Sequence, residues 1–232
     1  MKQQDFDLFV IGGGSGGVRA ARWAASKGLK VGIAEGARLG GTCVNLGCVP
    51  KKLFFHAAHM SSLFSDAQSY GWSLSEGNIG QTLVDETLTG GLSHDWSILK
   101  QRVDAYITRL NGIYGKMLDR VGVTRYEAWA RLIGEHEIEL RDSAGTEQVV
   151  RARHILLSPG GKAIAPSIEG VELGSSSDEF FALEERPRSV AVIGGGYIGV
   201  EMAGVFAGLG VETTIAYRSS LPLRGFDQDL RV

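Results

Sequence analysis

Two glycine patterns with identical spacing, near opposite ends of the chain, constrain the fold most. The first consists of Gly12, Gly14 and Gly17, and the second of Gly194, Gly196 and Gly199. Each pattern follows a short apolar run and precedes a helical segment: residues 6–11 and 18–27 flank the first, residues 189–193 and 200–209 the second. In such a unit the first glycine allows a tight turn, the second lets backbone N–H groups approach a pyrophosphate, and the third lets the helix pack on the strand. The repeat therefore predicts an α/β fold with two Rossmann-like nucleotide-binding domains, each built as a ββα three-layer domain.

The two copies differ where the second strand of each unit ends. In the first copy Glu35 ends the strand, and a carboxylate there can accept both hydroxyls of a ribose. The equivalent position in the second copy is Tyr217, which is followed by Arg218 and, in the same segment, Arg224. Two guanidinium groups can clamp a 2'-phosphate, which a carboxylate would repel. We therefore expect NADP(H) at the second copy, against the alternative that both arginines are ordinary surface residues of a loop.

Residues 41–52 contain both cysteines of the chain, Cys43 and Cys48, and two lysines directly behind them. On a regular α-helix the Cα atoms of these cysteines would lie roughly 8–9 Å apart, beyond the roughly 7 Å limit for a disulfide. A bridge therefore requires an irregular turn, for which Gly40, Gly41 and Gly47 supply the backbone freedom. A bridge held in imperfect geometry is easily reduced, as a working disulfide must be. On this segment alone, two unrelated buried cysteines remain an equal alternative.

Charge and hydropathy exclude several classes of protein. The 232 residues carry a net charge of -2 with mixed signs, so nothing indicates a nucleic-acid surface or an anionic-membrane patch. There is no run of about 18 apolar residues, and the strand-like run at residues 6–11 leaves no room for a signal peptide. A cytoplasmic location is expected, where a persistent structural disulfide would be unusual. His56 and His59 lie one helical turn apart without a third ligand nearby, so no metal site is predicted.

Between the two glycine patterns, the apolar spacing predicts two helices and a small antiparallel sheet. The helices are expected at residues 50–64 and 96–120, and the strands at 123–133, 137–140 and 147–151, with a turn at 142–145 and a further strand at 154–158. Residues 71–94 read as a long surface loop. Residues 162–187 are proline-containing and have little periodicity, as expected of a crossing between domains.

The block Cys-x4-Cys-Val-Pro-Lys-Lys, between a flavin-type glycine loop and a second loop that ends Gly-Tyr-Ile-Gly-Val-Glu, resembles the pyridine nucleotide-disulfide oxidoreductases. The similarity covers essentially the whole chain. It implies that the first loop binds FAD and the second the nicotinamide nucleotide, on opposite faces of the flavin. The implied domains are residues 1–163 for FAD and the redox disulfide, residues 164–187 for the crossing segment, and residues 188–232 for the start of the NADP(H)-binding domain.

The same resemblance assigns roles to individual residues. It implies that Cys48 lies against the flavin and that Cys43 is the interchange thiol that attacks the substrate. Lys51 would sit beside flavin N5 and pair with Glu201, and Tyr197 would cover the nicotinamide pocket until NADPH displaces it. Further cofactor contacts are implied for Ser15, Gly41, Thr42, Ala130 and Gly160.

Family members that act on glutathione disulfide, a polyanion, place basic groups on the first helix, where Arg19 and Arg22 lie here. A substrate-contacting tyrosine matches Tyr114 in Asn-Gly-Ile-Tyr, and Ser15 lies at the start of the same first helix. The resemblance therefore implies an NADPH-dependent enzyme that reduces glutathione disulfide. Two alternatives stay open: a relative that acts on another disulfide or on a metal ion, and, in a different class, an FAD-binding module without complete turnover.

The implied reaction passes a hydride from NADPH to FAD, then electrons to the Cys43/Cys48 disulfide, after which the Cys43 thiolate attacks the substrate. Relatives use a histidine held by a glutamate of the partner subunit as the acid and base, so a homodimer is expected for the full-length protein. The chain is expected to be the N-terminal half of such a protein, with the second nucleotide-binding domain incomplete. Two departures from the family pattern are Pro159, before the glycines of residues 160–161, and an apparent insertion at residues 75–93.

Overall fold

A computed structural model describes residues 5–70 and 94–232. The chain divides into two compact units, each made of two separate stretches. The first unit comprises Met1–Val49 and Ala105–Ser167, and the second comprises Pro50–Asp104 and Ile168–Val232. Two long helices, α3 (Cys48–Ala67) and α4 (Trp96–Asp119), carry the chain across the division.

The first unit is built on five strands. Its elements are β1 (Phe6–Ile11), α1 (Ser15–Ser26), β2 (Val31–Glu35), α2 (Gly41–Asn45), β3 (Thr124–Leu132), β4 (Glu137–Asp142) and β5 (Glu147–Leu157). β1 pairs in parallel with both β2 and β5, and β2 pairs in parallel with β3. β4 pairs antiparallel with β3 and with β5. Because β3 and β5 take part in both sets of pairs, the five strands close into a ring.

The parallel strands bury both of their faces. Phe9 and Val10 are neighbours in β1 and point to opposite sides, as successive residues of a strand do. On one side, the core between the parallel strands and the β3–β4–β5 antiparallel strands is formed by Phe6, Phe9, Ala34, Ala128, Ile138, Leu140, Val150 and Ala152. On the other side, the core against α1 and α4 is formed by Val10, Val18, Ala21, Ala24, Val31, Ile33, Leu118 and Val123. The unit thus consists of two layers of strands and one layer of helices.

The second unit contains a smaller strand pair. Its further elements are α5 (Ser177–Phe180), β6 (Ser189–Ile193), α6 (Tyr197–Gly208) and β7 (Glu212–Ala216), and β6 pairs in parallel with β7. Five aromatic rings form its core, with the rings of Trp96 and Phe206 stacked at an angle of 4°. The five are Phe54, Trp96, Phe180, Phe181 and Phe206. The indole N–H of Trp96 donates to the carbonyl oxygen of Leu183 over 3.0 Å, which anchors the segment before β6.

Most predicted elements are confirmed, and one is corrected. β1 and β6 have the predicted bounds, α3 extends beyond the predicted helix at both ends, and α4 ends one residue before the predicted end. The strands expected at 147–151 and 154–158 are a single strand, β5. β5 pairs with β4 through Glu147–Arg151 and with β1 from Ala152 onward, so one continuous strand serves two partners. The change of partner at residue 152 produced the change of pattern that suggested two strands.

The segment expected to cross between domains contains short helices. α5 begins with a capping box, in which the Ser176 side chain accepts from the backbone of Asp178 and Glu179 reaches back to the Ser176 N–H. The predicted loop at residues 71–94 and the apparent insertion at 75–93 lie almost entirely outside the described residues. Within residues 5–70 and 94–232, no helix combines the length and the apolar character needed to span a membrane.

Candidate functional site

The first glycine loop is too tightly packed to accept side chains at two of its predicted positions. A Cβ atom at Gly12, whose φ is +105°, would lie 2.1 Å from the carbonyl oxygen of Ser158. A Cβ atom at Gly17 would lie 1.9 Å from the carbonyl oxygen of Gly12. The first turn of α1 therefore rests directly on the loop, as the third glycine of the pattern permits.

No side chain caps the backbone N–H groups at the N-terminus of α1. Gly14 is the N-cap and makes no side-chain capping bond, and the first turn contains no acidic residue. Glu35 Oε2 accepts from the backbone N–H of Gly13 over 2.7 Å, and Oε1 accepts from that of Ala37 over 2.9 Å. Because a carboxylate has about four acceptor positions, Glu35 keeps acceptor capacity for hydroxyl groups.

The segment that carries the cysteines is joined to this glycine loop. The backbone N–H of Gly40 donates to the carbonyl oxygen of Gly13 over 2.8 Å. Gly41 has φ of +60°, and a Cβ atom there would lie 2.7 Å from the Cα of Gly14. The chain immediately before Cys43 therefore lies against the first glycine loop, and only glycine allows this contact.

The turn between the two cysteines is irregular, as a bridge between them would require. α2 ends at Asn45, Leu46 and Gly47 are not helical, and α3 begins at Cys48. Both cysteines are free thiols, with Cys43 partly buried and Cys48 exposed. A bridge between them stays a prediction.

Burial is the largest of the causes that raise the pKa of the Cys43 thiol from 9.0 to about 11, and the hydrogen bond to the Cys48 side chain and the Cys48 charge act in the same direction. A weaker hydrogen bond from the backbone of Cys48 acts in the opposite direction. The thiolate is the nucleophilic form of cysteine. Cys43 therefore needs a base to take its proton before it can attack near neutral pH.

Two amide side chains that the motifs did not identify as functional hold this segment in place. Asn45 is buried and donates to the carbonyl oxygen of Gly41 over 2.9 Å. Asn111 on α4 donates to Asn45 Oδ1 over 2.9 Å. Asn45 lies between the cysteines of the Cys-x4-Cys block, and Asn111 is the first residue of Asn-Gly-Ile-Tyr. One sequence signal could have identified them. The cysteine segment and the Asn-Gly-Ile-Tyr segment are both expected at the site, and each contains an asparagine.

A cavity of about 390 Å³ opens between β2, β3 and α4 of the first unit. Glu35 and Ala37 line one side of it, and Asn111, Gly112 and Gly115 line the helical side. The cavity therefore lies next to the carboxylate that the sequence predicts for a ribose.

The second glycine loop repeats the packing of the first. Gly194 has φ of +133°, and a Cβ atom at Gly199 would lie 2.2 Å from the carbonyl oxygen of Gly194. Gly196 is the N-cap of α6 and makes no side-chain capping bond. The backbone N–H of Leu223 donates to the carbonyl oxygen of Gly195 over 2.6 Å. In both units the segment after the second strand is thus tied to the middle of the glycine loop.

Two arginines in the segment after β7, Arg218 and Arg224, have exposed side chains. The Tyr217 side chain packs on Gly195, where a Cβ atom would lie 3.0 Å from it. Arg218 and Arg224 are exposed, and neither has an ion-pair partner among residues 5–70 and 94–232. Tyr217, rather than a carboxylate, takes the position that Glu35 has in the first unit.

Lys51 and Glu201, paired in the expectation from the resemblance, form an ion pair within the second unit. Lys51 Nζ lies 2.6 Å from Glu201 Oε1, and the side chains are 26% and 37% exposed. Lys51 is on α3 and Glu201 on α6. Their role at a flavin stays a prediction.

The remaining predicted site residues lie on the expected elements, and their roles also stay predictions. Arg19 and Arg22 are exposed on α1, whereas Tyr114 on α4 is partly buried against the core of the first unit. The others are Ser15 at the start of α1, Thr42 in α2, Ala130 in β3, Gly160 after β5 and Tyr197 at the start of α6.

Comparison with known proteins identifies what this arrangement resembles. The family model described as pyridine nucleotide-disulphide oxidoreductase matches residues 6–232. A glutathione reductase of Yarrowia lipolytica is 44% identical over 227 residues, which cover 96% of this chain and 46% of the relative. A glutathione reductase of Schizosaccharomyces pombe is 45% identical over 226 residues, with 96% and 46% covered. A glutathione reductase of Burkholderia cepacia is 42% identical over 231 residues, with 100% and 47% covered.

The chain spans about half the length of the curated relatives it matches. The family match covers nearly every residue and includes both glycine loops and the cysteine segment. The chain therefore belongs to the pyridine nucleotide-disulphide oxidoreductase family.

Proposed function

We propose that this chain carries the FAD-binding and redox-active part of an NADPH-dependent reductase of glutathione disulfide. The observation that carries the proposal is the contact between the cysteine segment and the first glycine loop, through Gly40 and Gly13 and through Gly41 and Gly14. A pair of thiols joined to a nucleotide-binding loop is suited to exchange electrons with the nucleotide bound there.

The first unit fits FAD. Its glycine loop leaves no room for side chains at Gly12 and Gly17, and the N-terminal donors of α1 have no capping side chain. These features suit a pyrophosphate at the helix N-terminus, and the remaining acceptor capacity of Glu35 suits a ribose. We propose that Ser15, Thr42, Ala130 and Gly160 complete the contacts with this cofactor.

The second unit fits NADP(H) better than NAD(H). Gly194, Gly196 and Gly199 form its loop, and Tyr217 takes the position that a ribose-binding carboxylate would need. The exposed guanidinium groups of Arg218 and Arg224 suit a 2'-phosphate. We propose that both units are Rossmann-like, and that the functional domains are residues 1–163 and 188–232, with 164–187 between them.

When bound, FAD would relay two electrons from NADPH to the cysteine pair. Cys43 and Cys48 would then be the reduced dithiol, and the Cys43 sulfur would attack one sulfur of the substrate disulfide and release one thiol. Attack by Cys48 on the resulting mixed disulfide would release the second thiol and re-form the Cys43/Cys48 bridge. The raised pKa of Cys43 supports the need for a base, which we propose to be a histidine held by a glutamate in a partner subunit.

The ion pair of Lys51 with Glu201 keeps a cation near the start of α3. We propose that this ammonium group orients the flavin, and that Tyr197 covers the nicotinamide pocket until NADPH enters. Arg19 and Arg22 supply positive charge for an anionic substrate, and Tyr114 is proposed to contact it. The names of the relatives, glutathione reductases, support glutathione disulfide as that substrate. The proposed site of action is the cytoplasm, and the proposed assembly of the full-length protein is a homodimer.

The test uses protein expressed from its complete open reading frame. We expect bound flavin in the visible spectrum, a long-wavelength band on titration with NADPH, and NADPH oxidation driven by glutathione disulfide rather than by lipoamide. Cys43→Ser should leave reduction by NADPH intact and abolish disulfide turnover. Equal activity with lipoamide, or no oxidation of NADPH in the presence of glutathione disulfide, would overturn the assignment of the substrate.

A further inference from the structure

Asn45 is a buried polar residue whose side-chain amide both donates and accepts hydrogen bonds. The residue is 5% exposed. Its Nδ2 donates to the carbonyl oxygen of Gly41 over 2.9 Å and to those of Arg38 and Leu39 over 3.3 Å each. Its Oδ1 accepts from Asn111 Nδ2 over 2.9 Å. A buried amide bonded in this way restrains the backbone that it contacts, because losing these bonds together would leave buried polar groups without partners.

Asn111 ties the same backbone to α4. Its Nδ2 donates to the carbonyl oxygen of Leu39 over 2.7 Å as well as to Asn45. The two amides therefore hold residues 38–41 from two sides. Gly40 and Gly41 within this stretch make the contacts with the first glycine loop. Asn45 is also the last residue of α2, directly before the interruption at Leu46 and Gly47.

We propose that Asn45 and Asn111 are positioning residues, which hold the turn between Cys43 and Cys48 and thereby set the equilibrium between their disulfide and dithiol forms. The inference rests on the proposed function, since that function requires this pair to open and close. Neither amide touches the reacting sulfur atoms in the described hydrogen bonds, so both act through the backbone.

The distance between the Cα atoms of Cys43 and Cys48 depends on the turn between them, and this distance affects how readily the reduced thiols form a disulfide. A regular helix would separate the two Cα atoms by roughly 8–9 Å, and a disulfide needs less than roughly 7 Å. Both cysteines are free thiols in the structure, yet α2 still ends at Asn45 and α3 still begins at Cys48. The interrupted turn thus persists without a covalent bridge. If an amide is lost, the segment can relax, the effective concentration of one thiol near the other falls, and the disulfide becomes easier to reduce.

The experiment measures this equilibrium on the purified chain without flavin or NADPH. The chain is equilibrated with mixtures of reduced and oxidised dithiothreitol, the free thiols are trapped with an alkylating reagent, and the alkylated fraction is counted by mass. One S–S bond breaks in the protein and one forms in dithiothreitol, so that two electrons and two protons reach Cys43 and Cys48. The variants are Asn111→Leu, which removes the amide, and Asn111→Gln, which keeps it and displaces it by one methylene. Gln101→Leu, at an exposed position of α4, is the matched control.

For Asn111→Leu we expect the disulfide to be reduced about fivefold to tenfold more readily, as the loss of one or two buried hydrogen bonds implies. Asn111→Gln should shift in the same direction by less, and Gln101→Leu should match the unmodified chain. A purely structural role would lower the unfolding temperature and leave the equilibrium of the folded protein unchanged. An unchanged equilibrium in folded Asn111→Leu, or in folded Asn111→Gln if the first variant does not fold, overturns the proposal. Because no cofactor is used, failure of the glutathione assay would overturn the proposed function separately.

Discussion

The backbone N–H of Leu223 donates to the carbonyl oxygen of Gly195 over 2.6 Å. The first unit has the same relationship between Gly40 and Gly13, over 2.8 Å. In each unit this bond draws the segment after the second strand back onto the glycine loop. In the first unit that segment leads to the cysteines, whereas in the second it leads to Arg224. The same backbone arrangement therefore presents thiols in one unit and a guanidinium group in the other.

The position of Arg224 predicts how the second unit selects its nucleotide. Changing Arg218 and Arg224 together to alanine should raise the KM for NADPH about tenfold to a hundredfold, because charge-assisted hydrogen bonds to the 2'-phosphate are lost. The KM for NADH should barely change, since NADH has no phosphate at that position. Steady-state kinetics with both nucleotides measures the two values.

Arg153→Ala serves as the control for this double variant, because Arg153 is an exposed arginine on β5. It should leave both KM values unchanged. An equal rise in KM for NADPH and NADH in the double variant would mean that the arginines do not distinguish the 2'-phosphate.

The sequence predicted those parts of the fold that depend on local pattern. β1 and β6 are short apolar runs that end at a glycine, and both have the predicted bounds. The long amphipathic stripe on α4 predicted its extent to within one residue at its end. In these elements the apolar period and the glycines act over a few residues, so a local reading is sufficient.

Features that depend on contacts distant in sequence were not predictable in this way. The sequence pattern predicts two strands where β5 is a single one, because the partner of β5 changes at Ala152. The anchoring of Phe180 and Phe181 in the aromatic core is visible only once Phe54 and Phe206 are near them. The hydrogen bond between Asn45 and Asn111 joins residues 66 positions apart, and an asparagine in the sequence does not indicate which residue it will bond.

Neighbouring glycines in the first loop predict opposite effects on stability. Gly17→Ala places a Cβ atom 1.9 Å from the carbonyl oxygen of Gly12, so the backbone must move. We expect a loss of about 3 kcal/mol in the free energy of unfolding, at the upper end of overpacking costs. At Gly16 the nearest atom to a Cβ is Ser158 Oγ at 3.8 Å, so Gly16→Ala should gain about 0.5–1 kcal/mol through helix propensity. Urea denaturation of the two variants measures both changes, and similar losses in both would contradict the packing argument.

Breaking the ion pair of Lys51 and Glu201 should lower the rate of flavin reduction much more than the stability of the fold. Both side chains are partly exposed, so Glu201→Gln should lower the free energy of unfolding by no more than about 1 kcal/mol. If Lys51 orients the flavin, the same change should slow flavin reduction by NADPH about tenfold or more, since the ammonium group loses its charged partner. Stopped-flow absorbance measures the reduction rate. Glu212→Gln, at an exposed carboxylate of β7, is the control, and an unaltered rate in Glu201→Gln would remove the ion pair from the mechanism.

The raised pKa of Cys43 predicts a dependence on pH. Because burial and the Cys48 side chain raise the pKa of this thiol from 9.0 to about 11, the fold favours its protonated form. The contribution of Cys43 to stability is therefore complete below pH 9.0 and is lost as the pH rises through about 11. At neutral pH the thiolate fraction should be about a hundredfold lower than for an ordinary cysteine, so alkylation of Cys43 by iodoacetamide should be slow.

Alkylation of Cys43, followed by peptide mass, should increase with pH until about pH 11. In Cys48→Ala the hydrogen bond and the charge of the neighbouring sulfur are removed, whereas burial, the largest cause, remains. The pKa of Cys43 should then fall below 11 and stay above 9.0. A midpoint at or below 9.0 in the unmodified chain would mean that Cys43 is not held as a protonated thiol, and the need for an external base would disappear with it.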